Sequence, residues 1–107
     1  TTGLIDISVV KLTGPAGGLA ANINRWRGQI GLPPQSEDVI ETQISKTQQQ
    51  GLQLMNISLE GQETDIFATI TTIHGDSWFF KAMGLKAAMT EFEPAYKKFI
   101  QGLQHAH

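Results

Sequence analysis

Residues 4–12, LIDISVVKL, place Ile5, Ile7 and Val9 on one side and Asp6 and Ser8 on the other, the period of two expected of a half-buried strand. TGPAGG follows, and Pro15 with its glycines predicts a turn. A helix is then predicted from near Leu19. At its period, Leu19, Ile23, Trp26 and Ile30 fall within about 60° of one another, while Ala21, Asn24, Arg25 and Gly28 face away. Gly31 stops this helix, and Pro33 and Pro34 prevent its continuation. Ser36 can cap a second, shorter helix, SEDVIETQI, with Glu37 and Asp38 in its first turn where acidic side chains suit the dipole.

From Gln48 the pattern returns to alternation, with Met55, Ile57 and Leu59 on one face of a second strand that Gly61 ends. DIFATITTIHGDSWFFKAMG reads as two β-branched and aromatic strands joined at His74, Gly75 and Asp76, a β-hairpin. Ile66, Phe67, Trp78, Phe79 and Phe80 put apolar groups on both faces, so central strands covered from both sides are expected. Over 85–103 a helical stripe of Leu85, Met89, Phe92, Tyr96, Phe99, Ile100 and Leu103 keeps its phase across Pro94, which falls on the opposite side, predicting one kinked helix or two in register. The order is β, α, α, β, β, β, α. With no internal repeat and no long linker, residues 1–107 are expected to form one domain of the α+β class.

Composition narrows the function. Eight basic residues against ten acidic ones leave a net charge of −2, so there is no electrostatic footprint for nucleic acid, which is not expected as a partner. The chain has no cysteine, which removes disulfides, thiolate nucleophiles and cysteine-based zinc sites. No stretch reaches the length of a membrane span, and membrane insertion is not expected.

Candidate chemistry is sparse. GPAGGLAAN leads from a strand into a helix, as phosphate loops do, but lacks both the Lys-Ser/Thr of a P-loop and the spacing of the dinucleotide fingerprint, so the glycines read as conformational. His74 and Asp76 could form a metal or acid–base pair at the hairpin tip, though no third ligand lies nearby in sequence. His105 and His107 close the chain, and Glu91 and Glu93, two apart on a helix, do not face each other. No catalytic residues and no cofactor are assigned. In GLAANINRWRGQIGLPP, Trp26 sits on the apolar stripe and is expected in the core. Arg25 points outward, with Asn22 and Arg27 near the edges of the stripe, and these three are the binding candidates. Both arginines are expected to be dispensable for folding.

Gly17, Gly18, Leu19, Asn22, Asn24, Arg25, Trp26, Arg27, Gln29, Gly31, Leu32 and Pro33, followed by Gly75, Asp76, Trp78, Phe79, Phe80, Lys81 and Gly84, resemble a group of uncharacterised bacterial PsbP-like proteins. The resemblance spans about residues 6–103. It implies an antiparallel β-sheet covered by helices on both faces, the PsbP-like α/β/α sandwich, no catalytic residues, and for many members export to the cell envelope. Relatives usually carry a strand before the position of Ile5, which this chain lacks. The resulting expectation is a non-catalytic binding domain for a protein partner or small ligand; the alternative is a small enzyme or metal-binding protein using His74 and Asp76. A strand at 4–12 without its neighbour would leave an open edge rich in β-branched residues, from which a twofold homodimer through the first strand is expected.

Overall fold

A computed structural model describes residues 4–12, 19–49, 51–73 and 75–102 of the chain. These form β1 (Ile5–Leu12), α1 (Leu19–Gln29), α2 (Glu37–Gln43), β2 (Ser45–Gln49), β3 (Leu52–Glu60), β4 (Thr64–Ile73), β5 (Asp76–Leu85) and α3 (Lys86–Gln101). The strands make one antiparallel sheet in the order β1-β5-β4-β3-β2, and the class is α+β as the periodicity predicts. Glycine-rich residues 13–18, His74, Leu103, His105 and His107 lie outside the described residues.

One element differs. β2, with the sequence SKTQQ, has no apolar position to signal it, and it forms by pairing with β3 from Ser45 opposite Asn56 to Gln49 opposite Leu52. A polar edge strand of this kind is held by its ladder rather than by burial. The β4–β5 hairpin runs from Thr64 opposite Leu85 to Ile73 opposite Asp76, and Gly75 takes the positive φ of 83° that the turn requires.

Two clusters of apolar side chains pack sheet and helices together. Ile57, Leu59, Ile66, Ala68, Ile70 and Phe79 pack with Ile23 and Trp26 of α1 and Ile40 of α2. Leu52 and Leu54, of the other parity on β3, pack with Ile100 and Tyr96 of α3. Ser36 caps α2 by accepting from the Val39 N–H, as its sequence predicts. α3 is a single helix with Pro94 in its interior, on the exposed side. Its first residue is pinned twice: the Lys86 N–H donates to Glu63 O at 2.8 Å, and Lys86 Nζ meets the buried Asp65 carboxylate at 2.7 Å. The predicted stripe of α3 is only partly covered, because Met89 and Ile100 are buried whereas Leu85 and Phe99 stand mostly in solvent.

Candidate functional site

The NINRWR segment of α1 presents two polar edges on either side of its apolar stripe. Asn24 and Arg27, three residues apart, share one edge, while Asn22, Arg25 and Gln29 follow the helical repeat along the other. Their environments differ. Asn24 exchanges two hydrogen bonds with the Gln35 backbone, each 2.9 Å, and Arg27 Nε donates to Pro33 O at 2.8 Å. Together they tie the proline-rich loop back onto α1. Arg27 is only 8 % exposed, so the expectation that it is an exposed binding residue is corrected: the loop after Gly31 folds under its guanidinium. Asn22 is likewise buried rather than exposed at the stripe's edge.

The other edge opens on a cleft. Trp26 lies in the core as predicted and meets the Phe79 ring edge-on, 5.9 Å between centroids at 89°. Ser8 pairs with Lys81 and Val10 with Phe79, which puts the even positions of β1 and the odd positions of β5 on the same side of the sheet. Those residues, with Asn22, Arg25 and Trp26, line a cleft of about 260 Å³. Lys81 Nζ donates to Gln29 Oε1 at 2.8 Å and rests 5.7 Å from the centre of the Trp26 ring. Burial pushes the Lys81 ammonium below its ordinary value, the neighbouring Arg25 guanidinium pushes it further, and Asp6 opposes them. Arg25 is exposed and makes no hydrogen bond or ion pair among the described residues. Two cations beside a buried amide and the Ser8 hydroxyl form a setting that favours a carboxylate or similar anion. Of the three binding candidates read from sequence, Asn22 and Arg25 therefore meet in one cleft and Arg27 does not.

Lys81, named in the resemblance, was not among the binding candidates read from sequence. Its signal was present: a lysine between Phe79 and Met83 on one face of a strand is a charged group held where burial dominates.

A second depression, of about 330 Å³, lies between α3 and the sheet, bordered by Thr47, Asn56, Ser58, Phe67, Tyr96 and Lys97. Beneath it Thr69 Oγ1 donates to Asn56 Oδ1 at 2.8 Å and shares a 2.7 Å hydrogen bond with the Tyr96 hydroxyl. Burial pushes that phenol up to about 12, against the Thr69 hydrogen bond, which acts the other way. Asn56, Thr69 and Tyr96 satisfy one another here, and Lys97 pairs with Glu93 at 3.6 Å. They build a cross-link between sheet and helix.

Asp76 of the hairpin faces Lys11, 3.8 Å from Nζ, and its proposed partner His74 lies outside the described residues. Among the described residues no three histidine, aspartate or glutamate side chains gather around a common point. Among the described residues no helix is long and apolar enough to cross a membrane. Comparison of the chain with protein-family models, curated proteins and solved structures finds no significant match.

Proposed function

We propose that this chain is a non-catalytic interaction domain that receives an extended segment along the outer edge of β1, with the Asn22, Arg25 and Lys81 cleft reading an acidic side chain on it. The observation carrying this reading is the juxtaposition of an edge strand and a cationic cleft: Ser8 and Val10 belong to both. Strand addition supplies affinity through backbone hydrogen bonds, and pockets for alternate side chains supply specificity. An unpartnered guanidinium beside a lysine is the natural receptor for a carboxylate.

The same reading takes the sheet as an α/β/α sandwich of PsbP-like type, with helices on both faces. Its support is on β5, where Trp26 of α1 meets Phe79 and Phe99 of α3 meets the adjacent Phe80, since neighbouring strand residues leave opposite faces.

Selection from a displayed library of random peptides tests the function. Enriched sequences should alternate apolar residues with one Asp or Glu, and Arg25→Ala should weaken the selected peptides about tenfold or more, the worth of a charge-assisted hydrogen bond. Failure to enrich any peptide, or binding indifferent to Arg25, contradicts the reading.

A further inference from the structure

β1 has β5 on one side and, among the described residues, no strand on the other. Its backbone groups on that side are unpaired in the sheet, and its apolar side chains are unusually wet: Leu4, just before the strand, is 93 % exposed, Ile7 60 %, Val9 53 % and Val10 45 %. An edge with these properties selects its occupant by which sequence covers them all.

We propose that the occupant is β1 of a second copy, running antiparallel about a twofold axis through Ile7; this rests on the reading of β1 as a docking edge and names what docks there. A twofold axis perpendicular to a continuous sheet keeps each face on its own side, so only residues of like parity face one another. That leaves axes through Ile7, Ser8 or Val9 as the pairings that use most of the strand. An axis through Val9 sets Ile7 opposite Lys11. An axis through Ser8 sets Ile5 opposite Lys11 and Asp6 opposite Val10. The axis through Ile7 instead sets Leu4 opposite Val10, Ile5 opposite Val9 and Ile7 opposite itself, so each exposed apolar residue of the edge gains an apolar neighbour.

Charge selects the same register. The partner's Asp6 falls opposite Ser8, which is itself opposite Lys81 on β5. Two strand spacings, about 10 Å between backbones, is within the combined reach of an aspartate and a lysine or arginine side chain. The partner's Asp6 thereby brings a carboxylate to Arg25 and Lys81, and the twofold repeats the contact. Neither Asp6 nor Lys11 is set against its own kind. The paired edge is short, in the size class of transient interfaces, so the association belongs in the micromolar range rather than the nanomolar.

Sedimentation of the 107-residue chain over a dilution series, joined to cross-linking, decides the matter. The chain is free of cysteine, so Ile7→Cys, Ser8→Cys and Val9→Cys each introduce one reporter. Under mild oxidation Ile7→Cys should form the covalent dimer fastest, because only residue 7 meets itself within disulfide distance in this register. Ile7→Lys, at a position already more than half exposed, should keep the wild-type circular dichroism spectrum but sediment as a monomer, since it sets two ammonium groups face to face. Asp6→Asn should weaken the dimer severalfold and blunt its salt dependence. A wild type that stays monomeric throughout, or faster cross-linking of Ser8→Cys or Val9→Cys, overturns the proposal. A monomer that still binds selected peptides at β1 overturns the second copy as occupant while leaving the interaction domain standing.

Discussion

Arg25 and Arg27 flank one tryptophan, yet the fold uses the three side chains differently. Trp26 fills the core against Phe79, Arg27 lies buried against Pro33 O, and Arg25 reaches solvent. Denaturant melts should rank them accordingly. Trp26→Ala is expected to cost about 3 to 5 kcal/mol, Arg27→Ala about 1 to 3 kcal/mol through its lost hydrogen bond and packing, and Arg25→Ala no more than about 0.5 kcal/mol. Equal midpoints for the two arginine variants would contradict the division. The helical wheel located Trp26 correctly but could not foresee Arg27, because its burial depends on a loop that returns from beyond Gly31. A second residue-scale expectation concerns Tyr96, the only tyrosine in the chain, whose ionisation can be followed directly by ultraviolet absorbance. Its midpoint should fall near 12 in the folded protein and near the ordinary value of about 10 after unfolding. Because burial favours the neutral phenol, its contribution is fully present below pH ~10 and is lost as pH rises towards ~12, a decline of about 2 to 3 kcal/mol. Lys81, with its value lowered, works in the opposite direction over the alkaline range, so the difference between wild type and Tyr96→Phe isolates the tyrosine. A tyrosine that ionises near its ordinary value in the folded chain would show that Tyr96 is not buried against the sheet.

Where the elements meet, two glycines of α1 and the β3–β4 turn make opposite predictions. A Cβ at Gly61 would lie 2.6 Å from Thr64 O and 2.9 Å from Ile30 O, both backbone atoms, so the turn is pressed against the end of α1. Gly61→Ala should therefore destabilise the fold by about 1 to 3 kcal/mol or more, the usual cost of overpacking. Gly28, exposed on α1 with nothing near its missing Cβ, should gain about 0.5 to 1 kcal/mol on replacement by alanine. Thermal melts of the two variants shifting in the same direction would refute this packing of helix end on turn. The elements themselves were legible in proportion to their apolar signal. α1, α2, α3 and the β4–β5 hairpin each carry a strong period or turn chemistry, and the chain follows them. β2 carries no apolar period, since its five residues are polar; it is set by the local hairpin that brings Gln49 opposite Leu52 and Ser45 opposite Asn56, with Gly51 at positive φ in the turn. The stripe on α3 was legible as a stripe, but not that its end at Phe99 would rest on Phe80 and remain half in solvent.

For the molecule as a whole, the sheet has two edges of opposite character. β2 is polar, and exposed from Ser45 to Gln48, the kind of edge that resists association, whereas β1 presents β-branched side chains and adjoins a cationic cleft. The open edge at β1 was an expectation drawn from the resemblance, whose members carry a strand before the position of Ile5, and the β-branched, proline-free run 4–12 made that edge suited to pairing. The cleft beside it was half visible there, in Asn22 and Arg25, and completed only when β5 brought Lys81 alongside β1. Amide hydrogen exchange along β1, measured as protein concentration is raised from the low micromolar range, tests this account most directly. In an antiparallel edge strand alternate amides face the neighbour and the intervening ones face out, so at high dilution Ile5–Lys11 should show one protected and one fast-exchanging set. The account predicts that the fast set alone becomes protected as the concentration rises and the outer edge is occupied. Protection of both sets at every dilution, or a fast set that stays fast at every concentration, would contradict it.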